Sequence, residues 1–144
     1  MDKILQKEIS ICTYCILYKP LKDEVDFDVN DFPLKLASNK IYLPNNNNTN
    51  PFDLADKLSK ELVNEKVFLL IPGTKFDIYG TRHGRGGGWY DRFLSKVPKD
   101  WIRIGITGVA NFSKSNISKN EWDETVHFII LNSKNVWCVY ISTN

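Results

Sequence analysis

The strongest constraint on the fold of this chain is an all-apolar run that ends in a dense group of glycines. Residues 67–71 contain no polar side chain and lead into Pro72-Gly73, a pair typical of a turn. A strand that is apolar on both faces is typical of the centre of a parallel sheet. Five of the chain's 8 glycines then fall within nine positions, from Gly80 to Gly88. The pattern predicts a central strand whose carboxyl end carries a glycine loop.

Basic side chains separate these glycines. Arg82, His83 and Arg85 lie among them, and residues 89–94 resume an apolar pattern that contains Asp91. Glycine lets the backbone approach a ligand closely, and a helix start adds positive potential. A carboxylate at that helix start is suited to a magnesium ion that bridges phosphate oxygens. The order of strand, glycine loop and helix therefore predicts a phosphate or nucleotide site, with a tight turn that binds nothing as the alternative.

The loop does not match the common nucleotide-binding patterns. It lacks the P-loop pattern G-x-x-x-x-G-K-[ST], and Trp89 takes the place of the last glycine of G-x-G-x-x-G.

Length and charge limit the number of domains and the class of partner that the chain can have. With 144 residues, of which 42% are hydrophobic, we expect one domain over residues 1–144. The net charge of +2 is too small to indicate nucleic acid as the main partner. Neither a membrane-spanning run nor a signal peptide is found, which predicts a protein of the cytoplasm or of an equivalent organelle compartment.

The three cysteines form no obvious redox or metal site. Their odd number rules out a complete set of internal disulfides. Cys12 and Cys15 have the spacing of a redox or zinc pair, but residues 9–18 have the composition of a buried strand. Cys138 stands alone, so no second pair completes a zinc site. We therefore interpret the cysteines as small core residues.

Predicted strands alternate with predicted helices along most of the chain. Strands are expected over residues 9–18, 41–44, 67–71, 101–107, 125–131 and 136–141. Residues 2–8 are predicted to form a short helix or a frayed end. Helical patterns cover residues 25–37 (imperfectly, because of Pro33), 52–63, where Asp53 is expected to help start the helix, and 89–94, whereas residues 45–51 and 111–121 are predicted loops. This alternation favours a layered α/β domain with an antiparallel pair at its end, in which ligands bind beyond the carboxyl ends of the strands.

Residues 72–94, read together, resemble a known family signature. The string P-G-x-x-F-D-x-x-G-x-R-x-G-R-G-G-G-W-Y-D-R-F-L is similar to that of the 5-formyltetrahydrofolate cyclo-ligases, also called methenyltetrahydrofolate synthetases. Three further segments follow the family's order: Y-K-P-x-x-x-E-V-D at residues 18–26, I-Y-L-P at 41–44, and W-D with V-H-F-I-I at 122–130. The resemblance covers residues 9 to about 139 and implies a layered α/β/α domain with a mostly parallel, Rossmann-like sheet of the NagB/RpiA/CoA-transferase-like type.

The resemblance implies a role for each matching residue. Contacts to ATP are implied for Arg82, Gly84, Arg85, Gly86, Gly87, Gly88, Trp89 and Tyr90, of which Arg85 and Tyr90 are the implied catalytic residues. Asp91 and Asp123 are the implied magnesium ligands, and Glu24 and Trp89 the implied folate contacts.

The implied reaction converts 5-formyltetrahydrofolate to 5,10-methenyltetrahydrofolate with ATP and Mg²⁺. ATP phosphorylates the formyl oxygen, the N10 amine attacks the activated carbon, and phosphate leaves as the ring closes. The implied partners are ATP and the folate, without nucleic acid or membrane, for a monomer or weak homodimer.

Several positions depart from the family pattern. The family usually begins with a helix carrying K-x-x-x-R, to which Lys3 and Lys7 do not clearly correspond, and has an E-P step where this chain has Asn50-Pro51. His83, Trp89 and Trp122 replace the usual leucine, tyrosine and histidine. The alternatives are a relative that binds nucleotide or folate without turnover, and a contact of the Arg/Gly loop with single-stranded nucleic acid.

Overall fold

The computed structural model describes residues 3–21, 24–26, 30, 32–44, 48–84, 88–133 and 136–141. Its regular elements within these ranges are three α-helices, one short 3-10 helix (Val109–Asn111) and nine strands. The α-helices are α1 (Lys3–Ser10), α2 (Pro51–Glu61) and α3 (Trp89–Leu94). The strands are β1 (Tyr14–Tyr18), β2 (Asn39–Leu43), β3 (Val67–Pro72), β4 (Lys75–Asp77), β5 (Arg82–His83), β6 (Ile102–Gly108), β7 (Phe112–Ser113), β8 (Phe128–Ser133) and β9 (Val136–Ile141). None of the described helices is long and apolar enough to cross a membrane.

Six strands form the central sheet in the order β2-β1-β3-β6-β8-β9. The first five run parallel, and β9 pairs antiparallel with β8. All six residues of β3 are buried, as expected for a central strand with cover on both faces. The predicted α/β class, the mostly parallel sheet and the antiparallel final pair are therefore confirmed.

The two faces of the sheet are covered differently. On one face, α2 and α3 pack Leu58 and Phe93 against the alternate residues of β3 that include Leu69. On the other face, α1 supplies Leu5 and a non-helical segment, residues 32–37, completes the cover. Alternate side chains of each strand thus enter two separate cores, which gives the three layers expected from the alternating strands and helices.

A second, smaller sheet was not predicted from the sequence. It contains three short strands in the order β5-β4-β7 and lies at the carboxyl end of β3. Phe76 of β4 is fully buried and seats this sheet on the large one. A Cβ at Gly105 of β6 would lie 2.4 Å from the Phe76 ring, so β6 needs glycine at that contact.

The sequence predictions were wrong at four places. The first strand begins at Tyr14 rather than residue 9, because helix α1 continues to Ser10 and Cys12 lies in the turn between them. No helix occurs in the described part of residues 25–37, where Pro33 interrupts the pattern. The late strand begins at Phe128 rather than residue 125, and the predicted loop 111–121 contains the short strand β7.

The interpretation of the cysteines as small core residues is confirmed for Cys15 and was wrong for Cys12, which is only partly buried in the turn before β1. Both thiols are free, and Cys15 is buried in β1. Burial raises the pKa of both thiols, which lowers their reactivity. The side chain of Cys138 lies outside the described part of the chain.

Candidate active site

A cleft of about 540 Å³ opens at the carboxyl ends of the parallel strands. It lies where β1, β2 and β3 end, between the small sheet, helix α3 and the segment that precedes β8. Its described lining consists of Tyr18, Lys19, Leu21, Glu24, Leu43, Pro44, Pro72, Thr74, Arg82, His83, Gly84, Gly88, Trp89, Tyr90, Asp91, Ser118, Asn120, Trp122 and Asp123. This is the position at which parallel α/β sheets bind ligands.

Arg82 is the buried cation of the cleft. Only 8% of the residue is exposed, its Nε donates to the Pro72 carbonyl, and its guanidinium lies 4.7 Å from the centre of the Tyr90 ring. Burial lowers the pKa of Arg82, and Tyr90 and Asp91 oppose that effect. A Cβ at Gly84 would lie 2.9 Å from the guanidinium, so glycine there leaves room for the arginine. The strand end thus holds a fixed positive charge in a site with little water.

Helix α3 begins directly behind the glycines and supplies three lining residues. Its first residue follows Gly88, whose φ of 69° lies in the left-handed region that suits glycine. Trp89 stacks on Phe93 at 5.3 Å, and its indole N–H donates to the Thr49 carbonyl at 2.9 Å. Trp89 is therefore held between α3 and the start of α2, with part of its ring on the cleft. Burial raises the pKa of Tyr90, so its hydroxyl stays protonated.

Two carboxylates of the cleft meet where helix α3 faces the segment before β8. Asp91 on α3 and Asp123 on the segment before β8 interact with each other, and Asp91 Oδ1 accepts from the Glu124 backbone N–H at 3.0 Å. Burial raises the pKa of Asp91 and the Asp123 charge raises it further, whereas the Glu124 N–H and Arg82 lower it. Adjacent carboxylates of this kind are a suitable donor set for Mg²⁺, because a cation relieves their repulsion.

The carboxylate pair supplies only part of a coordination shell. Within the described ranges, no group of three or more His, Cys, Asp and Glu side chains is placed to hold a metal ion. Mg²⁺ commonly binds through one or two carboxylates together with substrate phosphates. The residues present therefore fit a magnesium ion that arrives with a nucleotide.

The segment that carries Asp123 is a bonded turn. Asp123 Oδ2 accepts from the Asn120 N–H at 2.8 Å, and the Asn120 carbonyl accepts from the Asp123 N–H at 3.1 Å. His83 Nε2 lies 2.6 Å from the Ser118 carbonyl, which ties this segment to the small sheet. Because a carbonyl only accepts, Nε2 carries the proton in this contact. The replacement of leucine by His83 thus has a structural consequence: it links the two sides of the cleft.

Glu24 lies on the cleft wall in a turn after β1. Its Oε1 accepts from the Leu21 N–H at 2.9 Å, and its own N–H donates to the Leu21 carbonyl at 3.0 Å. The Tyr18 hydroxyl donates to the Val25 carbonyl at 2.7 Å and fixes the other side of the turn. The predicted folate contact is therefore at the cleft, on a turn closed by its own hydrogen bonds.

The Asn50-Pro51 step begins helix α2. Asn50 Oδ1 accepts from the N–H groups of Phe52 at 2.9 Å and Asp53 at 3.2 Å, and Pro51 is the first helical residue. We had expected Asp53 to help start the helix, and it does lie in the first turn, but the cap itself is Asn50. A helix cap thus stands where the resembled family has its E-P step.

The structure brings most of the predicted site residues to one cleft. Those that line it are Glu24, Arg82, Gly84, Gly88, Trp89, Tyr90, Asp91 and Asp123. Arg85, Gly86 and Gly87 lie outside the described residues. Sequence reasoning missed Lys19, Thr74, Ser118, Asn120 and Trp122, of which Lys19 and Trp122 stand inside segments that carried the resemblance.

Comparison with known proteins agrees with this geometry. Residues 33–132 match the model of the 5-formyltetrahydrofolate cyclo-ligase family. This chain belongs to the 5-formyltetrahydrofolate cyclo-ligase family. It is 32% identical over 119 residues to a 5-formyltetrahydrofolate cyclo-ligase of Mycoplasma genitalium, covering 81% of this chain and 70% of the relative. A cyclo-ligase of Mycoplasma pneumoniae is 31% identical over 138 residues, covering 90% of this chain and 82% of the relative.

A solved structure shows the same fold. The 5,10-methenyltetrahydrofolate synthetase of Mycoplasma pneumoniae superposes with a TM-score of 0.55 at 18% identity, over 90% of this chain and 88% of that one. The membership in a family of folate ligases, inferred above from the glycine-rich signature, is confirmed.

Proposed function

We propose that this cyclo-ligase family member uses ATP and Mg²⁺ to convert 5-formyltetrahydrofolate into 5,10-methenyltetrahydrofolate, with release of ADP and phosphate. The observation that carries the proposal is the placement of the Asp91–Asp123 pair and the buried Arg82 on one cleft. Transfer of a phosphoryl group needs positive charge around the phosphates and a fixed position for the acceptor oxygen.

The formyl oxygen is a poor leaving group, and phosphorylation turns it into a good one. The formyl oxygen attacks the γ-phosphorus as the bond to ADP breaks, and the N10 amine then adds to the activated carbon. Phosphate leaves with the former formyl oxygen, and the methenyl bridge remains. When bound, Mg²⁺ neutralises phosphate charge during the first step.

The chain's own residues supply binding and orientation. Asp91 and Asp123 would hold the magnesium ion, and Arg82 would balance phosphate charge. Tyr90 remains a neutral donor near Arg82, because burial raises the pKa of its hydroxyl. Glu24 and Trp89 are the proposed folate contacts, and Gly84 and Gly88 border the proposed phosphate position. Arg85, Gly86 and Gly87 complete the proposed ATP loop by resemblance.

The competing proposal is a relative that binds ATP or folate without turnover. One observation favours it: neither Lys3 nor Lys7 of α1 is among the residues that line the cleft. In that case fewer basic side chains would contact the ATP phosphates than in family members whose first helix carries K-x-x-x-R.

A turnover assay separates the two proposals. The protein is mixed with ATP, Mg²⁺ and 5-formyltetrahydrofolate, and methenyltetrahydrofolate is followed by its absorbance. We expect steady product formation, and a loss of about 100-fold or more in Asp91→Asn, because one metal ligand is removed. Asp56→Asn is the matched control, since Asp56 lies on the exposed side of α2 and pairs only with Lys60 among the contacts described.

The outcomes are distinct. Calorimetric binding of Mg·ATP without product would favour the binding-only relative. If the wild-type protein bound neither Mg·ATP nor the folate, both proposals would be abandoned.

A further inference from the structure

Arg103 is a buried charged residue that the proposed chemistry does not use. It lies on β6, which pairs with β3, and only 5% of it is exposed. A buried arginine is costly unless its charge and its N–H groups find partners. Its partners are therefore the first indication of what it does.

The guanidinium of Arg103 joins two elements that carry the carboxylate pair. Its Nη2 donates to the Leu94 carbonyl at 2.9 Å, at the last residue of helix α3. Its Nη1 contacts Glu124 Oε1 at 3.2 Å and the Thr125 carbonyl at 3.4 Å. Leu94 is three residues beyond Asp91 on α3, and Glu124 directly follows Asp123. One planar group thus reaches the neighbours of both carboxylates.

The backbone of Arg103 adds to this connection. Its N–H donates to His127 Nδ1 at 3.0 Å, and its carbonyl accepts from the His127 N–H at 2.9 Å. Residues 124–127 are therefore bonded to Arg103 at both ends. The Glu124 N–H in turn donates to Asp91 Oδ1 at 3.0 Å. Arg103 is therefore connected to helix α3 twice, directly at Leu94 and through Glu124 at Asp91.

We propose that Arg103 is a positioning residue that sets the separation of Asp91 and Asp123 and so determines how well the pair binds a divalent cation. The guanidinium acts through the Leu94 carbonyl on one carboxylate and through Glu124 on the other. A positive charge at the end of α3 also complements the dipole of that helix. This inference rests on the proposed function, because it assumes that the two carboxylates hold Mg²⁺.

Lysine does not replace arginine in this geometry. Its single ammonium cannot span the Leu94 carbonyl, the Glu124 carboxylate and the Thr125 carbonyl together, whereas a planar fork can. Arg103→Lys keeps the charge, so the variant changes the geometry while the partly buried carboxylate of Glu124 retains a cation nearby. The second variant, Glu124→Gln, removes the ion pair but leaves the backbone donor to Asp91.

The test measures the dissociation constant of Mn²⁺ directly. Free Mn²⁺ is quantified by its electron paramagnetic resonance signal, with and without ADP and in the absence of turnover. We expect Arg103→Lys to raise the Mn²⁺ dissociation constant about 10-fold, and Glu124→Gln to raise it less, as for other residues that orient metal ligands. Lys99→Ala is the control: its Nζ bonds the same Glu124 Oε1 at 2.9 Å, but the lysine is exposed and does not touch α3 in the described contacts. Its Mn²⁺ affinity should match the wild type.

Thermal unfolding of each variant shows whether Arg103 contributes only to the stability of the fold. A lower Tm in Arg103→Lys with an unchanged Mn²⁺ dissociation constant, measured well below that Tm, would overturn the inference while leaving the proposed function intact. Absence of Mn²⁺ binding by the wild-type protein, with ADP present, would overturn both, since no metal site would then exist to be positioned.

Discussion

The two walls of the cleft are built in different ways. One wall, here the hairpin wall, consists of β4, β5 and helix α3, which rest on buried Phe76 and Phe93. The other, the turn wall, consists of residues 18–24 and 114–124, which form turns without regular structure apart from the strand end at Tyr18 in their described part. Trp122 of the turn wall is 68% exposed. The buried cation therefore lies on a regular element, and a large exposed ring lies on a turn.

This difference follows from what each wall has to do. A buried cation such as Arg82 needs partners at fixed positions, since an unsatisfied buried charge is costly. An exposed aromatic ring needs only one open face, and turns supply it. The comparison implies that substitutions in the hairpin wall change folding and binding together, whereas substitutions in the turn wall change binding alone.

The largest effect should come from Arg82→Lys. Lysine cannot both reach the Pro72 carbonyl and lie flat over the Tyr90 ring, so a bond from a charged donor and a ring contact are lost. We expect the free energy of unfolding to fall by about 2–3 kcal/mol and Mg·ATP affinity to fall with it. Urea unfolding and calorimetry measure the two quantities.

Arg92→Lys is the matched control for this change. It makes the same replacement on an exposed position of α3 and should alter the free energy of unfolding by less than about 0.5 kcal/mol. Equal stability of the two variants would show that the hairpin wall does not depend on its buried cation.

The difference between the two walls also explains which parts of the site could be predicted from the sequence. In the hairpin wall, the glycine loop and helix α3 were predicted because glycines, arginines and an apolar pattern follow each other within residues 80–94, whereas the pairing of β4 with β5 was not predicted. The central strand was equally evident, since six consecutive buried residues leave few alternatives. Local order in the chain was sufficient where the contacts are local.

Contacts between residues that are far apart in the sequence were not predicted. Nothing local shows that Phe76 packs on Gly105, so the small sheet was missed. One local contact was also not predicted: the cap of α2 at Asn50, because residues 45–51 were interpreted only as a polar loop. Arg103 was seen as one residue of an alternating strand, and its role depends on Leu94 and Glu124, which lie 9 and 21 positions away.

Trp122→Ala tests the turn wall. We expect its free energy of unfolding to stay within about 0.5 kcal/mol of the wild type, since the ring is mostly exposed. Affinity for one planar ligand should fall about 5- to 20-fold, because stacking on an aromatic side chain contributes roughly 1–2 kcal/mol. Calorimetry with Mg·ATP and with 5-formyltetrahydrofolate identifies which ligand is affected.

Trp122→Phe keeps an aromatic face and should retain most of the affinity. If Trp122→Ala bound both ligands as tightly as the wild type, the ring would have no role in the cleft. A marked loss of stability in the same variant would remove the distinction between the two walls.

The smallest effect concerns the anchor of the turn wall at His127. Partial burial of the ring lowers the pKa of His127 below its ordinary value of 6.5, although the residue as a whole is exposed; the Arg103 charge lowers the pKa further, and Glu8 opposes both. The contact in which Nδ1 accepts from the Arg103 N–H requires an unprotonated Nδ1 and so favours the neutral ring. Because the unfolded chain takes up the proton more readily, this group's contribution to stability is present above the ordinary pKa and is lost as the pH falls through the folded value.

His127→Asn provides an acceptor oxygen in place of Nδ1 without a titratable group. We expect urea midpoints of the wild type to fall between about pH 7 and about pH 5 more steeply than those of the variant, by less than the slope of one proton. The carboxylates titrate in both proteins and cancel in the difference. Parallel profiles would mean that folding does not lower the pKa of His127.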